Sequence, residues 1–201
     1  MTARPRAAPP PRDQQMGHSE GSRSRGAQTK RTEKQELEKD AVIQLVSFLA
    51  KRRPSLHIKF DTLLDPPLPD ARCIVNGSPV YVEVTHIYGT DADARRALGR
   101  KGRAEPTHAE RLNSCVIPLR VRLFNPLNEV LRKKATKTYP VLPLWLLIRN
   151  ALPIWREKHF REYLSDVVVP ESHPFQRIWF LCGTRDAFGM IELTRRHKSS
   201  R

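Results

Sequence analysis

The chain predicts a mixed α/β domain, with a central sheet and helices packed against it. Three observations carry that expectation. Apolar residues recur at helical spacing in one early segment and then alternate with period two in the segments that follow. The run "VLPLWLLI", 141–148, is apolar throughout, as in a strand buried on both faces. The periods change in the order α-β-β-β-α-β-α-β-β without an internal repeat, the pattern of a sheet flanked by helices.

Each element has a local reason. Residues 1–31 are Pro, Arg, Ser, Gly and Gln with almost nothing to bury, and are expected to form a disordered basic tail. Thr32 offers an N-cap, and "EKQELEKDAVIQLVSFLAKRR" reads as a helix ending before Pro54. Leu37, Ala41, Leu45, Phe48 and Leu49 form its apolar stripe, with Glu38 inside the stripe and Glu36 pointing away. "LHIKFDTLL", 56–64, is a strand ended by "DPPLPD". "ARCIV" and "PVYVEVTHI" follow as a hairpin, because Asn76 and Gly77 both tolerate positive φ. A long polar stretch, 89–114, carries "RRALGRKGR" at 95–103. "NPLNEVLRKKATKTY", 125–139, is a second helix opened by Asn125 and Pro126. After the buried strand come a third helix, "IWREKHFREYL", and two closing strands, "FQRIWFLCG" and "FGMIELT". One domain, 32–194, is thus expected, followed by a basic tail, 195–201.

Net charge is +15, of which residues 1–32 carry +5, residues 195–201 carry +4 and the body +6. Such a balance favours a polyanionic partner, most simply nucleic acid, although anionic lipid attracts the same charges. Cys73, Cys115 and Cys182 lie far apart with no Cys-x-x-Cys, which argues against a disulfide framework or a zinc site and for reduced thiols. The apolar run at 141–148 is too short for a membrane span of about 20 residues. The opening "MTARPRAAPPPR" lacks the apolar centre of a signal peptide. A soluble cytoplasmic protein is expected, with no membrane partner.

Alternation along "VYVEVT" puts Val80, Val82 and Val84 on one face and Tyr81, Glu83 and Thr85 on the other. Asp70 stands at the start of the preceding strand, so the hairpin register decides whether it approaches Glu83. Two converging carboxylates make an oxygen-rich site suited to Mg²⁺. Each has a plainer reading: Asp70 as a turn residue after Pro69, Glu83 as an exposed strand residue. Lys59 and Asp61 on the first strand are also within reach of such a site. Scattered histidines show no His-Glu-x-x-His spacing, and no glycine-rich phosphate loop exists.

This element order, with Pro-Asp before one strand and Glu-x-x in the next, resembles the PD-(D/E)xK nuclease superfamily, over about residues 33–150. The resemblance implies a restriction-endonuclease-like mixed central sheet flanked by helices. It implies a Mg²⁺- or Mn²⁺-dependent phosphodiesterase acting on nucleic acid, with DNA as the expected substrate and a homodimer compatible with it. Asp70 and Glu83 would hold metal, and Glu38 on the first helix would assist. The chain departs from the motif at its last position, where Thr85 stands in place of lysine and cannot carry its charge. A cation from the following helix could substitute. Stepping 100° per residue, Leu127, Val130, Leu131, Lys134 and Thr138 form one stripe, with Lys137 at its edge and Lys133 and Glu129 pointing away. A lysine in an apolar stripe either faces a carboxylate or snorkels to water. Lys134 is the first candidate and Lys137 the second. Arg95, Arg96, Arg100, Lys101 and Arg103 are the expected backbone contacts. The alternative is a catalytically degenerate nucleic-acid-binding module on the same fold; a third is a protein-interaction domain whose charge serves solubility.

Overall fold

The computed structural model describes residues 23–88, 118–151, 157–184 and 187–193. It divides into two units, Met1–Lys34 and Gln35–Arg201. Of the first unit, the described part is the opening of helix α1 (Arg23–Arg52). Residues 23–31, expected in the disordered tail, are therefore helical. Their sequence, "RSRGAQTKR", holds one glycine and no proline, and Ala, Gln, Lys and Arg extend a helix at little cost. Residues 1–22 and the basic tail at 195–201 lie outside the described residues.

In the second unit the elements follow the expected order. They are β1 (Ile58–Leu63), β2 (Ala71–Val75), β3 (Ser78–Ile87), α2 (Leu119–Ala135), β4 (Leu144–Asn150), α3 (Glu157–Glu162), β5 (Arg177–Thr184) and β6 (Ala187–Glu192). The six strands form one mixed sheet in sequence order. Pairs β1–β2, β2–β3 and β5–β6 are antiparallel, and β3–β4 and β4–β5 are parallel. Asn76 and Gly77, at φ 50° and 83°, make the two-residue turn that joins β2 to β3 and sets Val75 opposite Ser78.

Helices cover both faces, and the alternation in β3 sorts its side chains between them. Val80, Val82 and Val84 pack with Trp145, Leu147 and Trp179 beneath Ala41, Val42, Leu45 and Leu49 of α1. On the other face Leu144, Leu146, Ile148 and Phe180 pack against Leu123, Phe124, Leu127 and Leu131 of α2 and Phe160 of α3. Being sandwiched is why β4 is apolar at every position from Leu144 to Ile148, all of them buried. At the C-terminal end of α1, Glu192 accepts from Arg53 at 3.0 Å and Arg177 at 2.7 Å. Each of those guanidiniums lies over an indole, Arg53 on Trp179 and Arg177 on Trp145.

Helix α2 begins at Leu119, upstream of the expected start, and holds Pro126 in its interior. Proline there removes one backbone hydrogen bond and usually breaks a helix. Burial of Leu123 and Phe124 ahead of it, continuous with Leu127 and Leu131, outweighs that local preference.

Cys73 and Cys182 are buried, and desolvation pushes both thiols up to about 12. Because the folded state raises these values, their contribution to stability is full below a pH of about 8.5 and fades as pH rises toward that range. Both should resist a thiol-reactive probe at pH 8 in the native protein and react once urea unfolds it, read by mass spectrometry. Rapid native labelling of either would contradict their burial.

Candidate active site

Glu83 projects from the middle of β3 onto the α2 face and is 7 % exposed. A carboxylate so placed needs a counter-charge. Lys134, in the last turn of α2, provides it: its Nζ lies 2.5 Å from Glu83 Oε1. Helical phase explains the meeting, since Lys134 continues the stripe of Leu127 and Leu131. The C-terminal end of a helix also favours a cation. Lys133, by contrast, faces solvent and pairs with Glu129 one turn back, as its phase predicts.

Lys137 lies beyond the end of α2, where its backbone N–H donates to Lys134 C=O. Its ammonium stands 3.7 Å from the same Oε1 of Glu83 but is mostly exposed. The two lysines thus differ: Lys134 is enclosed and bound, and Lys137 is open to solvent and reaches Glu83 from the rim.

The hairpin register pairs Ala71 with Val82, so one further step sets Asp70 across from Glu83. Strand β2 ends there, and the Asp70 side chain takes over its role. Its Oδ2 accepts the Val84 N–H at 2.7 Å, and its C=O accepts the Leu64 N–H. Asp70 is therefore held at the peptide adjoining Glu83 by bonds along two neighbouring strands. Thr85 is half-buried on the Glu83 face and brings no charge.

Tyr139, in the segment between α2 and β4, completes the group and was not anticipated. Burial, then the charge of Glu83 and a hydrogen bond to it, and last the charge of Asp70, raise its phenol above the ordinary range. Its Oη is buried beside the Glu83 carboxylate, the acceptor within its reach. Spacing in the sequence contains no signal for it, because the segment that carries it has no periodicity.

Glu38 is buried, 4 % exposed. By helical phase it continues the α1 stripe of Ala41, Val42 and Leu45, which packs against Val82 and Val84. Asp61 on β1 pairs with Arg72 of β2 at 2.5 Å. Arg95, Arg96, Arg100, Lys101 and Arg103 lie outside the described residues.

Among the described residues no group of three or more His, Cys, Asp and Glu side chains is gathered to hold a metal ion. The donors present nevertheless suit Mg²⁺ in kind. Glu83 and Asp70 are hard oxygen ligands, and this ion usually takes one or two carboxylates and keeps its remaining waters or substrate phosphates. Among the described residues no helix is long and apolar enough to cross a membrane. No protein-family model, curated protein or solved structure matches this chain.

Proposed function

We propose that this protein is a metal-dependent nuclease on a restriction-endonuclease-like sheet, hydrolysing phosphodiester bonds in nucleic acid, with DNA as the substrate class. The observation that carries the reading is the ion pair of Lys134 with Glu83 beside Asp70. On this reading Lys134, from the following helix, stands in for the charge that Thr85 lacks. Asp70 and Glu83 would hold Mg²⁺ or Mn²⁺, which supplies charge neutralisation at the phosphate and a more acidic bound water. Lys134 orients the Glu83 carboxylate by holding one of its oxygens. Lys137, open to solvent, offers its ammonium to an approaching phosphate. Access is consistent with the same geometry, because the β1–β2 part of this face is only partly buried and presents exposed Lys59 and half-exposed Arg72.

A nucleic-acid-binding module without catalysis is the second reading, favoured by Thr85 in the place of the motif's lysine. Incubation of plasmid DNA with the full chain and Mg²⁺ or Mn²⁺ separates the two. Cleavage that EDTA stops is expected, and Asp70→Asn should lower its rate at least about tenfold while binding persists. Binding should weaken linearly in log K against log salt. Salt-sensitive binding with no cleavage of DNA or RNA supports the module, and salt-independent or absent binding removes both.

A further inference from the structure

On the α1 face, the carboxyl ends of β3 and β4 carry polar side chains that the Glu83 site does not use. Alternation from Val84 and Leu147, which pack under α1, puts His86 and Arg149 on that face, and Tyr88 follows two residues after His86. The parallel register pairs His86 with Arg149 directly across the strands. The His86 and Tyr88 rings meet at 6.4 Å between centroids. Burial raises the Tyr88 phenol and the Arg149 charge pulls it back down, which sets the guanidinium within electrostatic reach of the hydroxyl. Each of the three is half-buried, so part of it still meets solvent. A cation drawn partly out of water calls for an anion. Among the described residues the ion pairs join carboxylates to other arginines and lysines, and none joins Arg149. The carboxyl ends of parallel strands are also where open α/β sheets receive ligands.

We propose that Arg149 and Tyr88 form a phosphate-binding site at the carboxyl ends of β3 and β4, with His86 bracing the phenol ring. The planar fork of Arg149 donates to two oxygens of one phosphate group, and the Tyr88 O–H donates to a third. Strand backbone fixes the spacing of the donors, and the chain's net charge of +15 favours a phosphorylated partner. The site lies on the face of β3 opposite Glu83 and stands whether or not the chain cuts nucleic acid.

Two probes test it on the full chain in EDTA, which keeps cleavage out: inorganic phosphate by titration calorimetry and a labelled DNA duplex by fluorescence anisotropy. Arg149→Gln should weaken binding at least about tenfold, and Tyr88→Phe, which keeps the ring against His86, about tenfold, the usual effect of a hydrogen bond to a charged group. Lys133→Gln removes the same charge from an exposed position paired with Glu129 and should leave affinity within about twofold, which separates a built site from general charge. Losses at Arg149 and Tyr88 for the duplex mark a nucleic-acid backbone as the source of the phosphate. Losses for inorganic phosphate alone mark a small phosphorylated ligand. No loss for either probe, or an equal loss at Lys133, overturns the site, as does wild-type protein that binds neither. If Arg149→Gln lowers the melting temperature, Tyr88→Phe decides alone, and its unchanged affinity for both probes overturns the proposal.

Discussion

Under the proposed nuclease reading, Glu83→Gln should reduce DNA cleavage by about 10²- to 10³-fold, because it removes the only full charge that β3 brings to the site. The same substitution should destabilise the fold by about 1–3 kcal/mol, by leaving Lys134 in a mostly apolar setting without its counter-charge. Lys134 is 17 % exposed, so its stem can carry the ammonium part of the way to water, which keeps the cost below that of a fully enclosed ion. Lys134→Met strips the pair from the other side and leaves Glu83 with the more distant Lys137. The double variant Glu83→Gln with Lys134→Met should recover much of the lost stability and none of the activity. A double-mutant cycle by urea unfolding should give a coupling of about 0.5–3 kcal/mol. Coupling near zero would mean that the two groups do not interact in solution. Full cleavage by Glu83→Gln would remove Glu83 from the chemistry.

The largest loss of stability is expected from Phe180→Ala. Phe180 sits on β5 with no exposed surface, and its ring stacks on Phe160 of α3 at 4.1 Å. Phe160 in turn stacks on Phe124 of α2 at 5.2 Å, so the three rings join sheet, α3 and α2. Truncating the first to alanine should cost about 3–5 kcal/mol, the transfer term plus the cavity that the rigid sheet cannot close. Out of a total stability of about 5–15 kcal/mol this is a large share. Urea unfolding should show a lower midpoint with an unchanged slope. Val168→Ala, at a side chain 64 % exposed, should stay within about 0.5 kcal/mol of wild type as a control. Equal effects at the two positions would contradict the packing described.

Residues explain where the sequence was legible and where it was not. The strands were legible because their period is local: "ARCIV" spans β2 residue for residue, and Asn-Gly marks the turn after it. The stripe through Leu127, Leu131 and Lys134 was equally local, so the direction of Lys134 followed from helical phase alone. Helix ends were less legible. Pro126 and Asn125 look like a helix start in isolation, and only burial of Leu123 and Phe124 against the sheet carries α2 through them. Glu38 shows the same limit from another side. Its phase within α1 was readable, but the face of the sheet on which α1 lies was not.

By itself, then, the sequence determined the order of elements, the two faces of β3 and the inward turn of Lys134, since each depends on neighbours a few positions away. Tertiary structure alone decided that α2 and Glu83 share a face, that Asp70 caps the Val84 N–H, and that Tyr139 joins them. Those contacts link residues far apart in the chain, and their geometry follows from how the sheet twists and which helix covers which side. No local period encodes that choice.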